Sequence, residues 1–170
     1  MRLKCDRGEQ MEHLWAPWRI EYIRLAKSGE EKGCILCDKP NELNDEENLI
    51  LARGSHNFVI MNRYPYSAGH LMVAPRRHTA LLESLEPEEL LEHFQMVQKC
   101  ISVIRSLWNP GGFNMGMNMG RIAGAGIDQH IHTHIVPRWA GDTNFMPVIA
   151  STGVVSSSLK ETYLELKPHF

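Results

Sequence analysis

The chain has 170 residues, of which 43% are hydrophobic and 22% charged, with a formal net charge of −2. That length is enough for one domain with a sizeable core, and the near-neutral balance gives no support to a general nucleic-acid-binding role. Residues 1–10 hold no apolar stretch of the signal-peptide kind and no apolar run nears the ~20 residues that span a bilayer, so the expected location is cytoplasmic, where cysteines stay free or metal-bound rather than disulfide-paired.

Residues 1–13 are polar and read as a flexible N-terminal extension, with 14–170 as a single domain. Pro17 suits a first helical turn, and Trp18, Tyr22 and Leu25 recur at helical spacing, which predicts a short amphipathic helix over about 17–27. Residues 28–47 are polar, carry Gly29, Gly33 and Pro40, and read as loop. Within them lies Cys34-Ile35-Leu36-Cys37, half of a metal site or a redox pair. The redox reading wants the motif to open a helix, and Asp38-Lys39-Pro40-Asn41 is poor helix. Three strands follow, over 48–52, 56–61 and 69–75, joined by short turns as in an antiparallel meander.

Pro87 then opens a long helix whose Leu90, Phe94, Val97, Ile101, Ile104 and Trp108 form one apolar stripe, ending at Asn109-Pro110-Gly111-Gly112. His93 and Cys100 read as helix-surface and core residues, not ligands. Residues 113–119 alternate as a strand, and Gly120–Ile127 is a glycine-rich loop whose amides suit an anion, although no Gly-Lys-Ser/Thr closes it as a Walker loop. A short helix over about 158–167 closes the chain.

The informative stretch is His130-Ile131-His132-Thr133-His134-Ile135-Val136. Its β-branched residues favour a strand, whose period of two puts the three imidazoles on one face about 6.6 Å apart and Ile131, Thr133 and Ile135 on the other. Neutral imidazole is a good nucleophile toward phosphorus and a usable leaving group. Beside an amide-rich turn it suits attack on a phosphoryl centre, with a neighbouring histidine giving a hydrogen bond or proton where charge develops. Two rivals stand next to this reading. His130 and His132 could share one catalytic metal with His70 or His134 in a metal-dependent hydrolase, or the domain could bind nucleotide without catalysis.

The motif His130-x-His132-x-His134 resembles that of the histidine triad (HIT) superfamily of nucleotide hydrolases and transferases, and the resemblance covers about residues 34–145. Asn62-Arg63-x-Pro65, Gly69-His70-Leu71-Met72-Val73-x-Pro75-x-x-His78, Asn118-x-Gly120 and Ala123-Gly124 match it outside the triad. Leu14–Arg19, Ala123–Gly126 and Gly141–Phe145 resemble the diadenosine tetraphosphate phosphorylase branch. The resemblance implies an α+β fold, a homodimer, and a nucleotidyl intermediate on His132, with His134 and His70 as further active-site histidines. It implies ribose contact by Asn62 and phosphate contact by Asn118, Gly124 and Gly126. It also implies a structural zinc on Cys34, Cys37, His78 and His130, with magnesium able to accompany a polyphosphate substrate. Substrates would be dinucleoside polyphosphates or nucleoside phosphoramidates. Many members carry Gly-Gln-Ser/Thr before the triad. Ala-Gly-Ala-Gly stands here instead, which fits the branch where phosphate, and not water, accepts the nucleotidyl group.

Overall fold

A computed structural model describes residues 33–140, 142 and 158–170. The helix expected over about 17–27 lies outside them. Among the described residues the order is α1 (Ile35–Asp38), α2 (Asp45–Asn48), β1 (Ile50–Arg53), β2 (Asn57–Met61), β3 (Leu71–Pro75), α3 (Pro87–Trp108), β4 (Gly112–Met117), β5 (Thr133–Arg138) and α4 (Leu159–Leu166). The strands form one antiparallel sheet in the order β1-β2-β3-β5-β4. The α+β architecture, the meander and the long helix stand as expected.

Period-two alternation sorts the sheet into two faces. Val59, Met61, Leu71, Val73 and Ile135 pack with Val97, Cys100 and Ile104 of α3 and with Tyr163 and Leu166 of α4. Phe58, Ile60, Met72 and Ala74 turn the other way, where Leu36 of α1 covers them with Cys34, Ile35 and Ile127 against their edge. The second layer is thin, and it leaves room for a cavity.

Several sequence expectations need correction. The stretch read as loop up to residue 47 contains two single-turn helices. The carbonyl of Cys34 accepts the amides of Cys37 and Asp38, which closes a turn around the cysteines. Pro40 follows at the start of a 3₁₀ turn over Lys39–Asn41, a place where its missing N–H costs nothing. The first strand starts two residues late because Asn48 ends α2 and Leu49 is left-handed, with φ 60°. The third starts at Leu71, since Gly69 turns the chain at φ +74° directly against Trp108, where a Cβ would lie 2.4 Å from the indole. The β5 ladder begins only at Thr133, so of the three triad histidines His134 alone lies within it.

The helix stripe is rotated from the expected one. Its buried residues are Glu89, His93, Val97, Cys100 and Ile104, whereas Phe94 is 45% exposed. Polar residues occupy this stripe because each meets a partner. Glu89 takes a two-pronged ion pair from Arg77, which holds its carboxyl down at about 2. His93, expected on the helix surface, is fully buried, with Nδ1 2.9 Å from Asn57 Oδ1 and Nε2 2.6 Å from Thr133 Oγ1. Cys100 is a core residue as expected.

Burial presses the His93 pKa down to about 4, below the ~6.5 of an unfolded histidine. The unfolded chain therefore takes a proton that the folded chain refuses, and stability falls as pH drops from about 6.5 toward 4. Urea unfolding should show a loss on the order of 2 kcal/mol between pH 7.5 and 5 from this group. His93→Gln, which cannot titrate, should flatten the dependence. An equally steep curve in that variant would refute the assignment.

Candidate functional site

The cavity between the thin layer and the sheet has a volume of about 440 Å³, within the range of small-molecule sites. Seven of the candidate site residues named from the sequence line it: Cys34, His132, His134, Asn62, Asn118, Gly124 and Gly126. The glycine loop delivers its part by backbone shape. Gly120 and Gly124 sit at φ +84° and +88°, a conformation that a side chain strains, and the loop closes on itself through Gly124 N–H to Arg121 O and Ala125 N–H to Gly120 O.

The ring nitrogens of the three triad histidines are sorted by what surrounds them. A carbonyl only accepts, so a ring nitrogen bonded to one carries the proton. His132 Nδ1 donates to its near neighbour, the His130 carbonyl, at 2.8 Å. Its Nε2 therefore holds the lone pair. His130 Nε2 donates to the Pro75 carbonyl at 2.8 Å, which leaves its Nδ1 as the lone-pair nitrogen.

The third imidazole is set through His70, which is 1% exposed. The Tyr66 amide donates to His70 Nδ1 at 3.2 Å, and Asn62 Nδ2 approaches the same nitrogen at 3.4 Å. The His70 proton therefore sits on Nε2 and is donated to His134 Nδ1 at 3.0 Å. His134 in turn carries its proton on Nε2. The His132 and His134 rings meet edge to face with centroids 4.8 Å apart. The cavity thus meets one imidazole with a lone pair beside one with a proton, the complement needed by a nucleophile and a donor acting on one centre. Burial presses the pKa values of His132 and His130 below the ordinary histidine value, which favours the neutral rings.

The four residues expected to bind metal converge. The ligand atoms of Cys34, Cys37, His78 and His130 lie within 4.8 Å of one another. His130 Nδ1 is 3.3 Å from Cys34 Sγ and 3.4 Å from Cys37 Sγ, and His78 Nδ1 is 3.2 Å from Cys37 Sγ. A tetrahedral Cys₂His₂ site has edges of roughly 3.3–3.8 Å, so the donor set fits one metal ion. The Pro75 carbonyl, by holding His130 Nε2–H, is the kind of partner that orients a ligating histidine. Burial pushes the Cys37 thiol up to about 11, so without a cation that thiol stays protonated. His132 is not among the four, which separates it from the metal group that the metal-hydrolase alternative would have it share.

Reasoning from sequence missed three participants. Tyr66 stacks on His70 at a centroid distance of 4.9 Å and fixes its tautomer, but a backbone amide leaves no sequence signal. Lys39 and Gln129 both line the cavity. Gln129 directly precedes His130, and its adjacency to the triad was a usable signal.

A family model described as "HIT domain" matches residues 44–141. The chain belongs to the HIT family. AP-4-A phosphorylase of Mycobacterium tuberculosis is 39% identical over 167 residues, which span 92% of this chain and 85% of that protein. Among solved structures, a histidine triad nucleotide-binding protein of Sulfolobus tokodaii superposes with a TM-score of 0.62 at 27% identity, over 80% of this chain and 88% of its own. A Zn-bound histidine triad family protein of Mycobacterium smegmatis gives 0.64 at 23% identity, over 81% and 92%; at that identity it speaks for the fold alone. As a HIT protein the chain keeps its triad on the cavity side of the sheet and its helix on the other. No described helix is long and apolar enough to cross a membrane.

The convergence of the four ligands is open to direct measurement. Titration with Co²⁺ should give the visible absorption of a tetrahedral thiolate site, saturating near one ion per chain, and Cys37→Ser should abolish it. Saturation unaffected by that substitution would place the metal elsewhere.

Proposed function

We propose that this HIT protein is a nucleotidyltransferase or nucleotide hydrolase that attacks the α-phosphate of a dinucleoside polyphosphate through His132. One observation carries the reading: the His130 carbonyl takes the Nδ1 proton of His132, so the lone pair is committed to Nε2 on a cavity wall. Nε2 forms the N–P bond as the bridging P–O bond breaks, and the departing phosphate leaves as the anion, its developing charge met by a hydrogen bond from the Nε2–H of His134. In the second step the acceptor oxygen attacks phosphorus, the N–P bond breaks, and His132 is restored neutral. Inorganic phosphate as acceptor yields a nucleoside diphosphate; water yields the monophosphate. A nucleoside phosphoramidate would enter by the same first step, its nitrogen protonated from solvent so that a neutral amine leaves. The 39% identity to AP-4-A phosphorylase supports phosphate as acceptor and a tetraphosphate as substrate.

In this reading Asn118 and the Gly124–Gly126 backbone contact the phosphates. Asn62 contacts the ribose while its amide holds the loop to Tyr64, donor to its Oδ1 at 2.9 Å. His70 is a positioning residue that keeps the His134 proton on Nε2. The metal is zinc, held by Cys34, Cys37, His78 and His130, and with four protein ligands it braces the site without activating water. Magnesium enters only as companion of the polyphosphate. The same reading makes the protein a cytoplasmic homodimer, for which the outer edge of β4 and its exposed Met115 offer a surface.

The test is capture of the intermediate. Mass spectrometry of protein quenched during turnover should show one added nucleotidyl group. His132→Ala should lack it and lose at least about 10³-fold in kcat, while metal content stays unchanged. Loss of metal with that variant would favour a metal-bound His132, and nucleotide binding without any adduct would favour a purely binding module. Adding inorganic phosphate should shift the product from mono- to diphosphate.

The acid side of the rate profile follows from burial. A folded pKa below the ordinary value keeps His132 neutral to lower pH. The rate should therefore hold through pH 7 and fall with a midpoint under ~6.5. A midpoint above that value would count against a buried neutral nucleophile.

A further inference from the structure

The cavity lining holds a charge, on Lys39, that the chemistry at His132 does not use. With the α-phosphate at His132 and the sugar at Asn62, the lining that includes Ile35, Leu36, Lys39, Asn48 and Leu49 offers the base an apolar slot. Leu36 is fully buried and Leu49 nearly so, and such walls suit a flat ring. Lys39 interrupts them. Its ammonium donates to Asn48 Oδ1 at 3.3 Å, and Asn48 Nδ2 donates to Glu42 Oε2 at 2.5 Å. Asn48 is 5% exposed, so the middle of this tether is buried while Lys39 is half-buried and Glu42 lies at the surface. Carboxylate, amide and ammonium form a chain that holds a cation beside an apolar slot, where an untied lysine would swing its head to water.

An ammonium donates and never accepts. Guanine offers it two adjacent acceptors, O6 and N7, whereas adenine sets an amino donor beside N7. A fixed donor at the base end attracts the first edge and opposes the second.

We propose that Lys39 determines base specificity and selects a purine with oxygen at C6, guanine or hypoxanthine, over adenine. The inference rests on the reading that places the α-phosphate at His132. The substrate class is then a guanosine or inosine polyphosphate, which differs at the base from the adenosine in the name of the Mycobacterium tuberculosis relative.

Calorimetric titration with GMP, IMP and AMP tests this on the whole protein. GMP and IMP should bind about tenfold tighter than AMP, and Lys39→Met should bring the ratio near one. Asn48→Ala, which unties the lysine, should lower the ratio severalfold. AMP binding as tightly as GMP in the unaltered protein overturns the proposal whether or not any variant folds, as does a ratio unchanged in both variants. Binding is read without turnover, so failure to trap a nucleotide on His132 leaves this test intact. An adduct formed on His132 by a protein that prefers AMP removes this inference alone.

Discussion

Each triad imidazole is held by one ring nitrogen so that the other is assigned. Two of the holds are main-chain carbonyls, Pro75 on His130 and His130 on His132. The third is a relay that begins at the Tyr66 amide and passes through His70 to His134. Main-chain groups do not titrate, so the proton pattern of the site is fixed by the path of the backbone. Three chemically identical side chains within five residues thereby acquire three different faces: a lone pair toward the two cysteine thiols, a lone pair on the cavity wall and a proton beside it.

The fold serves this arrangement from behind. Thr133 stands between His132 and His134 and points to the helix side, where the buried His93 bridges it to Asn57 on β2. A hydrogen-bonded polar group in an otherwise apolar layer fixes lateral position in a way that aliphatic packing alone does not. On the opposite side, the turn that carries Cys34 and Cys37 covers the sheet and walls the cavity. The cluster of Cys34, Cys37, His78 and His130 and the cavity therefore share a boundary.

Much of this was legible in the residues, and what was not has identifiable physical causes. Alternation at 130–136 announced a two-faced segment, although its ladder begins only at Thr133, and it was the resemblance to the HIT family that picked out Cys34, Cys37, His78 and His130. The helix stripe was misplaced by one position because hydropathy counts Phe94 as core and His93 as surface. Only tertiary partners, here Asn57 and Thr133, make a buried imidazole affordable. The turns around Cys34–Asn48 looked like loop because each is a single helical turn, closed by carbonyls that composition does not reveal. The Tyr66 amide and the Asn48 tether were invisible for the same reason: their effect lies in where the backbone and an amide happen to stand.

The alternation of Ile131, Thr133 and Ile135 with His130, His132 and His134 divides the tolerance of this segment between two kinds of selection. Changes at the odd positions, and at the fully buried His130, disturb packing and would be felt through abundance, while changes at 132 and 134 leave the protein plentiful but chemically mute. Fitness and expression, surveyed across every substitution from 131 to 135, would therefore interleave like the teeth of two combs, and the offset between them is a single residue.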